Sequence, residues 1–367
     1  MRDRYFDLLR AAAIVRVVLN HSFMSLPVVS LLFPSMGLMF ALGGSLMTAS
    51  VDRGAARAVR NRLRRLLPSV WAMGLILVPL MLHNGWEPGP SLALWILPLA
   101  EPPRNEIGDQ LGVGVLWYVY TYIWMVLLSP ILIRLYRRWD LPAVLAPFVG
   151  LLLLFGYPEV VQPNMDAFWW LANLCTYGTC WMIGIAHREG GLARLRPALV
   201  LSLAGACAVV ALTWAWAHPW EGRFDLVAQR IAYPLYMIGF VLVLLRWSPP
   251  MGWLARVRPL DRLVSVINNR AVTIYLWHVA AIAVAARLCA PLGPPTDPVR
   301  GGAWPGISLS NWPALVTGLA VVVALLAVAV LALGWVEDLA ARRRPRLSPF
   351  PYATSVGVPA VIRTNSA

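Results

Sequence analysis

Long apolar stretches recur along the whole chain and alternate with short polar segments. A helix needs about 20 predominantly apolar residues to cross the hydrocarbon core of a bilayer. The pattern therefore predicts an all-α fold, a polytopic integral membrane helical bundle of about ten transmembrane helices that occupies residues 1–340. A polar segment follows at 341–367 and is predicted to be a disordered cytoplasmic tail. The predicted spans are residues 8–28, 31–51, 66–83, 111–133, 141–157, 169–187, 197–217, 229–246, 270–290 and 312–335.

The arginines divide the connecting segments into two sets. The alternate segments at 84–110, 158–168, 218–228 and 291–311 contain only Arg104, Arg223 and Arg300. Because basic residues accumulate in the cytoplasmic loops of membrane proteins, both termini are predicted to be cytoplasmic, and an even number of spans agrees with this. The arginine-rich set comprises residues 2–4, 53–65, 134–138, 188–196, 256–262 and 342–346.

Composition narrows the class of protein further. Only 13% of the 367 residues are charged, whereas a soluble domain has about 25%. All 31 basic residues are arginine, a usage typical of a high-GC genome such as that of an actinobacterium, which predicts a multi-pass protein of a bacterial plasma membrane. The net charge of +14 does not predict a nucleic-acid partner, because the arginines lie between spans rather than in a basic soluble domain. The four cysteines lie in apolar stretches without a Cys-x-x-Cys pair, and no metal site is predicted.

The first predicted span carries ionisable residues that a membrane helix rarely contains. Arg10 and His21 are eleven positions apart, which brings them within about 20° of each other on a helix and roughly 16 Å apart along its axis. Asp7 lies one turn before Arg10 and is predicted to pair with it or to orient it. Such groups usually face the interior of the bundle and mark function. The alternative for His21 is an interfacial histidine bonded to a neighbouring helix, and Arg16 has no assigned role.

Five motifs in order along the chain resemble those of the acyltransferase-3 family of membrane O-acyltransferases. The resemblance extends from Arg4 to about the tenth span, and each motif alone is a weak signal. Two positions depart from the family pattern: Gly43 replaces the usual serine, and Ala280 stands where a proline commonly follows the histidine. The motifs are Asp7-x-x-Arg10 with His21, Met39-Phe40-Ala41-Leu42-Gly43-Gly44, Arg62-Leu63-Arg64-Arg65-Leu66-Leu67-Pro68, Leu116-Trp117-Tyr118 and Tyr275-Leu276-Trp277-His278.

The resemblance implies an acyl-CoA-dependent O-acyltransferase with no bound cofactor. Its members move an acyl group, with acetyl favoured here, from cytoplasmic acyl-CoA to a hydroxyl of an extracytoplasmic or membrane-associated acceptor. That acceptor is a glycan, a glycolipid or a secondary metabolite. The resemblance assigns residues in three groups: His21, Arg10 and Asp7 to catalysis; Arg62, Arg64 and Arg65 to acyl-CoA binding; and His278, Tyr275, Trp117 and Gly44 to the cavity and the acceptor.

Two mechanisms and several roles stay open at this stage. His21 either removes the proton of the acceptor hydroxyl as a general base or carries the acyl group itself. The arginine-rich loop at 53–65 suits CoA phosphates, because guanidinium groups bind phosphate through two hydrogen bonds. The same arginines are also explained by topology or by contact with anionic lipid. A transporter or flippase is the competing function, but the chain lacks the matching broken helices of inverted repeats.

Overall fold

The computed structural model describes residues 3–22, 31–157, 165–221, 224–292 and 312–345. It is 82% helical, and the described residues contain no β-strand, which confirms the predicted all-α fold. Short 3-10 turns lie at Pro90–Trp95, Val113–Val115, Gly252–Arg256 and Ala290–Leu292. The α-helices are α1 (Arg4–Ser22), α2 (Ser35–Val51), α3 (Ala55–His83), α4 (Glu106–Gln110), α5 (Leu116–Trp139), α6 (Leu141–Gly156), α7 (Met165–Arg188), α8 (Gly191–Arg194), α9 (Pro197–Ala217), α10 (Ala232–Arg246), α11 (Arg258–Asn269), α12 (Ala271–Cys289), α13 (Trp312–Leu333) and α14 (Trp335–Ala340).

Each of the ten predicted spans lies on one of these helices. Five segments are long and apolar enough to cross a bilayer, namely those at Ala55–His83, Val113–Trp139, Pro197–Ala217, Ala271–Cys289 and Leu315–Leu333, and three shorter apolar helices are α2, α6 and α10. The count of ten spans and the cytoplasmic placement of both termini stay predictions. Residues 23–28 of the first span, parts of the segments at 158–168, 218–228 and 291–311, and the tail from 346 onward lie outside the described residues.

The arginine-rich segment at 53–65, predicted as a loop, is helical from Ala55 onward. Hydropathy detects only the part of a helix that lies in the bilayer, whereas arginine is itself a good helix former. α3 therefore begins eleven residues before the predicted span and carries its arginines on its first turns. This places Arg62 and Arg65 three positions apart on one face, and it turns Arg64 to another face.

Helix α1, which carries four charged residues, is packed along one face against other helices. α1 packs against α2, α11 and α12, and α2 in turn packs along α7. Ala13, Ile14 and Val17 of α1 are buried, while Val15 on the opposite face is 43% exposed. Ionisable groups on α1 therefore face neighbouring helices rather than lipid, which is where such groups are tolerated.

Two glycines allow α2 and α7 to approach each other closely. A Cβ atom on Gly44 would clash with the backbone oxygen of Trp181, and one on Gly184 would clash with that of Ala41. Small residues at helix contacts bring backbones together and so tighten packing inside membranes. This contact fixes the position of α2, which forms one wall of the cavity described below.

Gly184→Ala is expected to destabilise the protein by about 1–3 kcal/mol, because the added methyl group meets backbone atoms that cannot move aside. Thermal unfolding of the detergent-purified protein measures the change. Gly205→Ala is the matched control, since nothing lies within 4 Å of a Cβ at that position of α9. The control variant should unfold at or slightly above the wild-type temperature. Equal melting temperatures for the two variants would contradict the close packing of α2 on α7.

Candidate active site

Five helices enclose a cavity of about 370 Å³ in the interior of the bundle. α1 contributes the residues of one face, from Arg10 to Val17, which extends about 10 Å along its axis. The lining is apolar apart from three arginines and three tyrosines, and it includes no carboxylate among the described residues. The lining residues are Arg10, Ala13, Ile14 and Val17 of α1; Met36, Met39, Leu42, Gly43 and Leu46 of α2; Arg62, Arg65 and Leu66 of α3; Tyr118, Val119 and Tyr122 of α5; and Ala271, Val272 and Tyr275 of α12.

A smaller pocket of about 230 Å³ adjoins this cavity at its arginine-rich end. Arg62 and Arg65 line both spaces, and Arg53 and Arg57 add two further guanidinium groups to the smaller one. Arg64 does not line either space, because its Nε donates a hydrogen bond of 3.3 Å to the backbone oxygen of Ala340. The three arginines of the motif are therefore divided by the helix into two that face the cavities and one that contacts α14.

The tyrosines of the cavity form a connected aromatic wall. The ring of Tyr118 lies 5.0 Å from that of Tyr275 and 6.0 Å from that of Tyr122, measured between centroids. The hydroxyl of Tyr275 donates a hydrogen bond of 2.8 Å to the backbone oxygen of Val115. This bond links α12 to the start of α5 and holds Tyr275 in place as a wall of the cavity.

Two histidines lie together just beyond the far end of the cavity. His21 follows the lining residue Val17 by one turn of α1, and His278 follows Tyr275 by about one turn of α12. Their rings meet edge-on, with centroids 4.8 Å apart and an interplanar angle of 62°. His278 is fully buried, while His21 is only partly buried. The structure thus brings the two predicted histidines into contact and places Arg10 on the same face of α1, towards the arginine-rich end.

Asp7 is buried on α1, one turn before Arg10, and its carboxylate accepts a hydrogen bond of 3.4 Å from Arg4. Arg4 also forms an ion pair with Asp261 of α11. The side chain of Asn268, also on α11, donates a hydrogen bond of 2.7 Å to the backbone oxygen of Asp7. Asp7 therefore lies in the contact between α1 and α11, one helical turn before Arg10. Its predicted role in catalysis stays a prediction.

Two predicted cavity residues lie elsewhere in the structure. Gly44 meets the backbone of α7 at Trp181, whereas Gly43, which packs against the Trp181 ring, is the glycine that lines the cavity. Trp117 packs its ring 5.2 Å from that of Tyr177, between α5 and α7, while the following residue, Tyr118, lines the cavity. In both cases the motif lies on a helix that lines the cavity. Because successive residues of an α-helix are rotated by about 100°, the residue next to the predicted one faces the cavity.

Three further polar features were not assigned to the site from the sequence, although Tyr118 belongs to one of the five motifs. Tyr118 and Tyr122 line the cavity, and their spacing of four on α5 is the signal that could have indicated it. Arg16, which had no assigned role, hydrogen-bonds Tyr233 of α10 on another face of α1. The hydroxyl of Ser45 lies 3.2 Å from Nδ1 of His187. Ser45 is two residues after Gly43, the position where the family pattern has a serine.

The fold and the cavity define the class of this protein: an apolar helical bundle of membrane type, whose arginine-lined cavity leads towards the histidine pair His21 and His278. A family model described as Acyltransferase domain, that of the acyltransferase-3 family, matches residues 3–334. The chain therefore belongs to the acyltransferase-3 family, and it is a membrane acyltransferase. The predicted resemblance is confirmed over nearly its whole length. No curated protein and no solved structure matches the chain.

Proposed function

We propose that this protein transfers an acyl group, acetyl in the favoured case, from cytoplasmic acyl-CoA to a hydroxyl of an extracytoplasmic or membrane-associated acceptor. The observation that carries the proposal is the course of the cavity, which begins at Arg62 and Arg65, passes Arg10 and ends one turn from His21. The enzyme would lie in a bacterial plasma membrane, with its arginine-rich end in the cytoplasm. A glycan, a glycolipid or a secondary metabolite would supply the hydroxyl.

The arginine-rich end suits the phosphates of CoA. Arg53, Arg57, Arg62 and Arg65 line one pocket, and no carboxylate is among the described residues that line it. Guanidinium groups pair with phosphate through two parallel hydrogen bonds, and such charge-assisted bonds are about twice as strong as neutral ones. Arg10 supplies a further positive charge inside the deeper cavity, where it would bind a polar group of the donor arm.

The apolar and aromatic part of the cavity suits the uncharged arm that carries the thioester. Its carbonyl would lie near Val17 and Tyr275, within reach of His21. In the proposed reaction His21 accepts the proton of the acceptor hydroxyl, and the hydroxyl oxygen attacks the thioester carbonyl. The carbon–sulfur bond then breaks, and the proton passes from His21 to the sulfur of CoA. In the alternative route His21 first attacks the thioester and carries the acyl group to the acceptor.

The proposal is tested by mass spectrometry of surface glycans, lipids and secreted metabolites. Three strains are compared: wild type, a deletion, and the deletion complemented with His21→Ala. The expected result is one species that loses an acyl mass in the deletion and is restored by the wild-type gene but not by His21→Ala. Unchanged masses with a compound accumulating on one side of the membrane would instead favour transport.

Arg62→Gln and Arg65→Gln are each expected to weaken acyl-CoA binding about tenfold or more, because a hydrogen bond to a charged group contributes about 1.5–3 kcal/mol. Calorimetric titration with acyl-CoA, without acceptor, measures the dissociation constant directly. Arg60→Gln is the matched control, since Arg60 lies on the same helix but lines neither of the two pockets. An equal loss of affinity in all three variants would assign the effect to general positive charge rather than to a phosphate site.

A further inference from the structure

His278 is the most completely enclosed ionisable group beside the candidate active site. It is fully buried, and its ring meets that of His21 at a centroid distance of 4.8 Å. Its Nδ1 lies 2.5 Å from the backbone oxygen of Tyr275, and its Nε2 is buried without a hydrogen-bond partner among the described residues. A buried polar atom without a partner is costly, which calls for an explanation at this position.

The contact with Tyr275 determines which nitrogen of His278 carries the proton. A carbonyl oxygen only accepts hydrogen bonds, so Nδ1 must be the donor in this pair. In a neutral imidazole the other nitrogen then holds a lone pair and acts as an acceptor. Nε2 of His278 is therefore a buried acceptor, and the neutral His21 ring, which has one N–H to donate, lies against the same side chain.

The difference in exposure between the two histidines separates their roles. A substrate cannot reach the fully buried His278 in this arrangement, whereas His21 is only partly buried and lies beyond the deep end of the cavity. We propose that His278 is a positioning residue: the N–H of the adjacent His21 turns to the unpartnered Nε2 of His278, and the hydrogen bond that forms fixes the ring nitrogen of His21 that faces the substrates. This inference rests on the proposed acyl transfer and adds the group that prepares its base.

Within the proposed reaction, His278 acts twice without exchanging a proton. Before transfer it holds the proton of His21 on the nitrogen facing α12, so that the lone pair of the other nitrogen is directed to the acceptor hydroxyl. Once that nitrogen has taken the hydroxyl proton, both nitrogens of His21 carry hydrogen, and the lone pair of His278 stabilises the positive ring. A neutral imidazole suits this depth of the membrane, because a carboxylate there would itself be costly to bury.

The two amide substitutions of His278 distinguish positioning from a structural role. Asn places its amide nitrogen near the position of Nδ1 and keeps the hydrogen bond to Tyr275, but it lacks an acceptor towards His21. Gln extends its amide oxygen to the position of Nε2 and keeps that acceptor. We expect His278→Asn to lower kcat about 10–100-fold, by analogy with the loss caused when a residue that orients a metal ligand is removed. His278→Gln should retain most of the activity, and the acyl-CoA dissociation constant should stay at the wild-type value in both.

Nitrogen-15 NMR of histidine-labelled protein supplies a readout that does not depend on turnover. The chain has only five histidines, so the two signals are assigned with His21→Ala and His278→Leu. In the wild type, His278 should be protonated at Nδ1 only, and His21 should occupy a single tautomer. In His278→Leu and His278→Asn, His21 should become a mixture of both tautomers.

Three results overturn the inference or its basis, and they differ from one another. Protonation of His278 at Nε2 in the wild type contradicts the positioning role directly. Full activity of His278→Asn beside an inactive His21→Ala removes His278 from the mechanism and leaves the proposed function intact. A wild-type enzyme that binds acyl-CoA but transfers its acyl group to no hydroxyl acceptor removes the proposed function, and the role of His278 with it.

Discussion

His21→Ala is expected to lower kcat for acyl transfer about 10²–10⁴-fold, which is the usual contribution of a positioned general acid or base. The acyl-CoA dissociation constant should change little, because Arg62 and Arg65 line the cavity itself, whereas His21 is not among its lining residues. Initial rates at saturating acyl-CoA, together with calorimetric titration, measure the two quantities on the same preparation. A loss confined to kcat marks a residue that acts in the transition state rather than in binding.

His218→Ala is the matched control for this experiment. His218 is exposed at the end of α9 and stacks on Trp214 with ring centroids 4.0 Å apart. It is not among the residues that line the cavity. Its removal should leave both kcat and the dissociation constant at wild-type values. If His21→Ala were as active as this control, His21 would have no chemical role, and the contact between His21 and His278 would be structural.

His21→Ala also distinguishes the two mechanisms that the sequence leaves open, general-base catalysis and an acyl-histidine intermediate. Incubation with radiolabelled acyl-CoA in the absence of acceptor should label the wild-type protein only if the acyl group passes through a histidine. Label that is present in the wild type, absent in His21→Ala and released by hydroxylamine would establish the acyl-histidine route. An unlabelled but fully active wild-type protein would establish His21 as a general base.

The periodicity of a single helix was the most reliable information in the sequence. The eleven-residue spacing of Arg10 and His21 predicted one shared face, and α1 is a continuous helix over both residues. This prediction depends only on helix geometry and on the cost of burying charge. The contact between His21 and His278 joins residues 257 positions apart, and only the packing of α1 on α12 brings them together. No local pattern encodes such a contact.

Helix rotation explains why some motif residues line the cavity and others do not. Hydropathy located the apolar part of α3 but missed its arginine-rich first turns, so a loop was predicted where the chain is helical. If the predicted helix had begun at Ala55, helix geometry would have placed Arg62 and Arg65, which are three positions apart, on one face and Arg64 on another. For Gly43 and Gly44 the sequence contains no equivalent signal, because the close approach of α7 decides which glycine faces the cavity.

The second large effect is expected at the arginine-rich end, where a short helix holds two spans together. Arg270, at the start of α12, donates hydrogen bonds of 2.7 Å to the Asp338 carboxylate and to the backbone oxygen of Gly334. The side chains of Arg270 and Asp338 are only 4% and 9% exposed. Through α14 this pair connects α12 with Arg64 of α3, and so joins two walls of the cavity.

Asp338→Asn is expected to destabilise the protein by about 3–5 kcal/mol, because it removes the carboxylate charge that pairs with the buried guanidinium of Arg270. The amide has nearly the same shape as the carboxylate, so the loss reports charge rather than packing. Denaturant unfolding in mixed micelles measures the free energy of unfolding. Acyl-CoA binding should weaken as well, since Arg62 and Arg65 lie on the same helix that Arg64 attaches to α14.

Asp52→Asn provides the same chemical change in an exposed ion pair. Asp52 is 50% exposed and contacts Arg137 at 2.7 Å, and its loss should cost no more than about 1 kcal/mol. Replacing Arg270 and Asp338 together by leucine should restore much of the stability, because a buried ion pair can be exchanged for apolar side chains at little net cost. Equal destabilisation by Asp338→Asn and Asp52→Asn would show that α14 is bound by its apolar contacts. In that case the charges of Arg270 and Asp338 would only orient α14, and the structure of the arginine-rich end of the cavity would not depend on them.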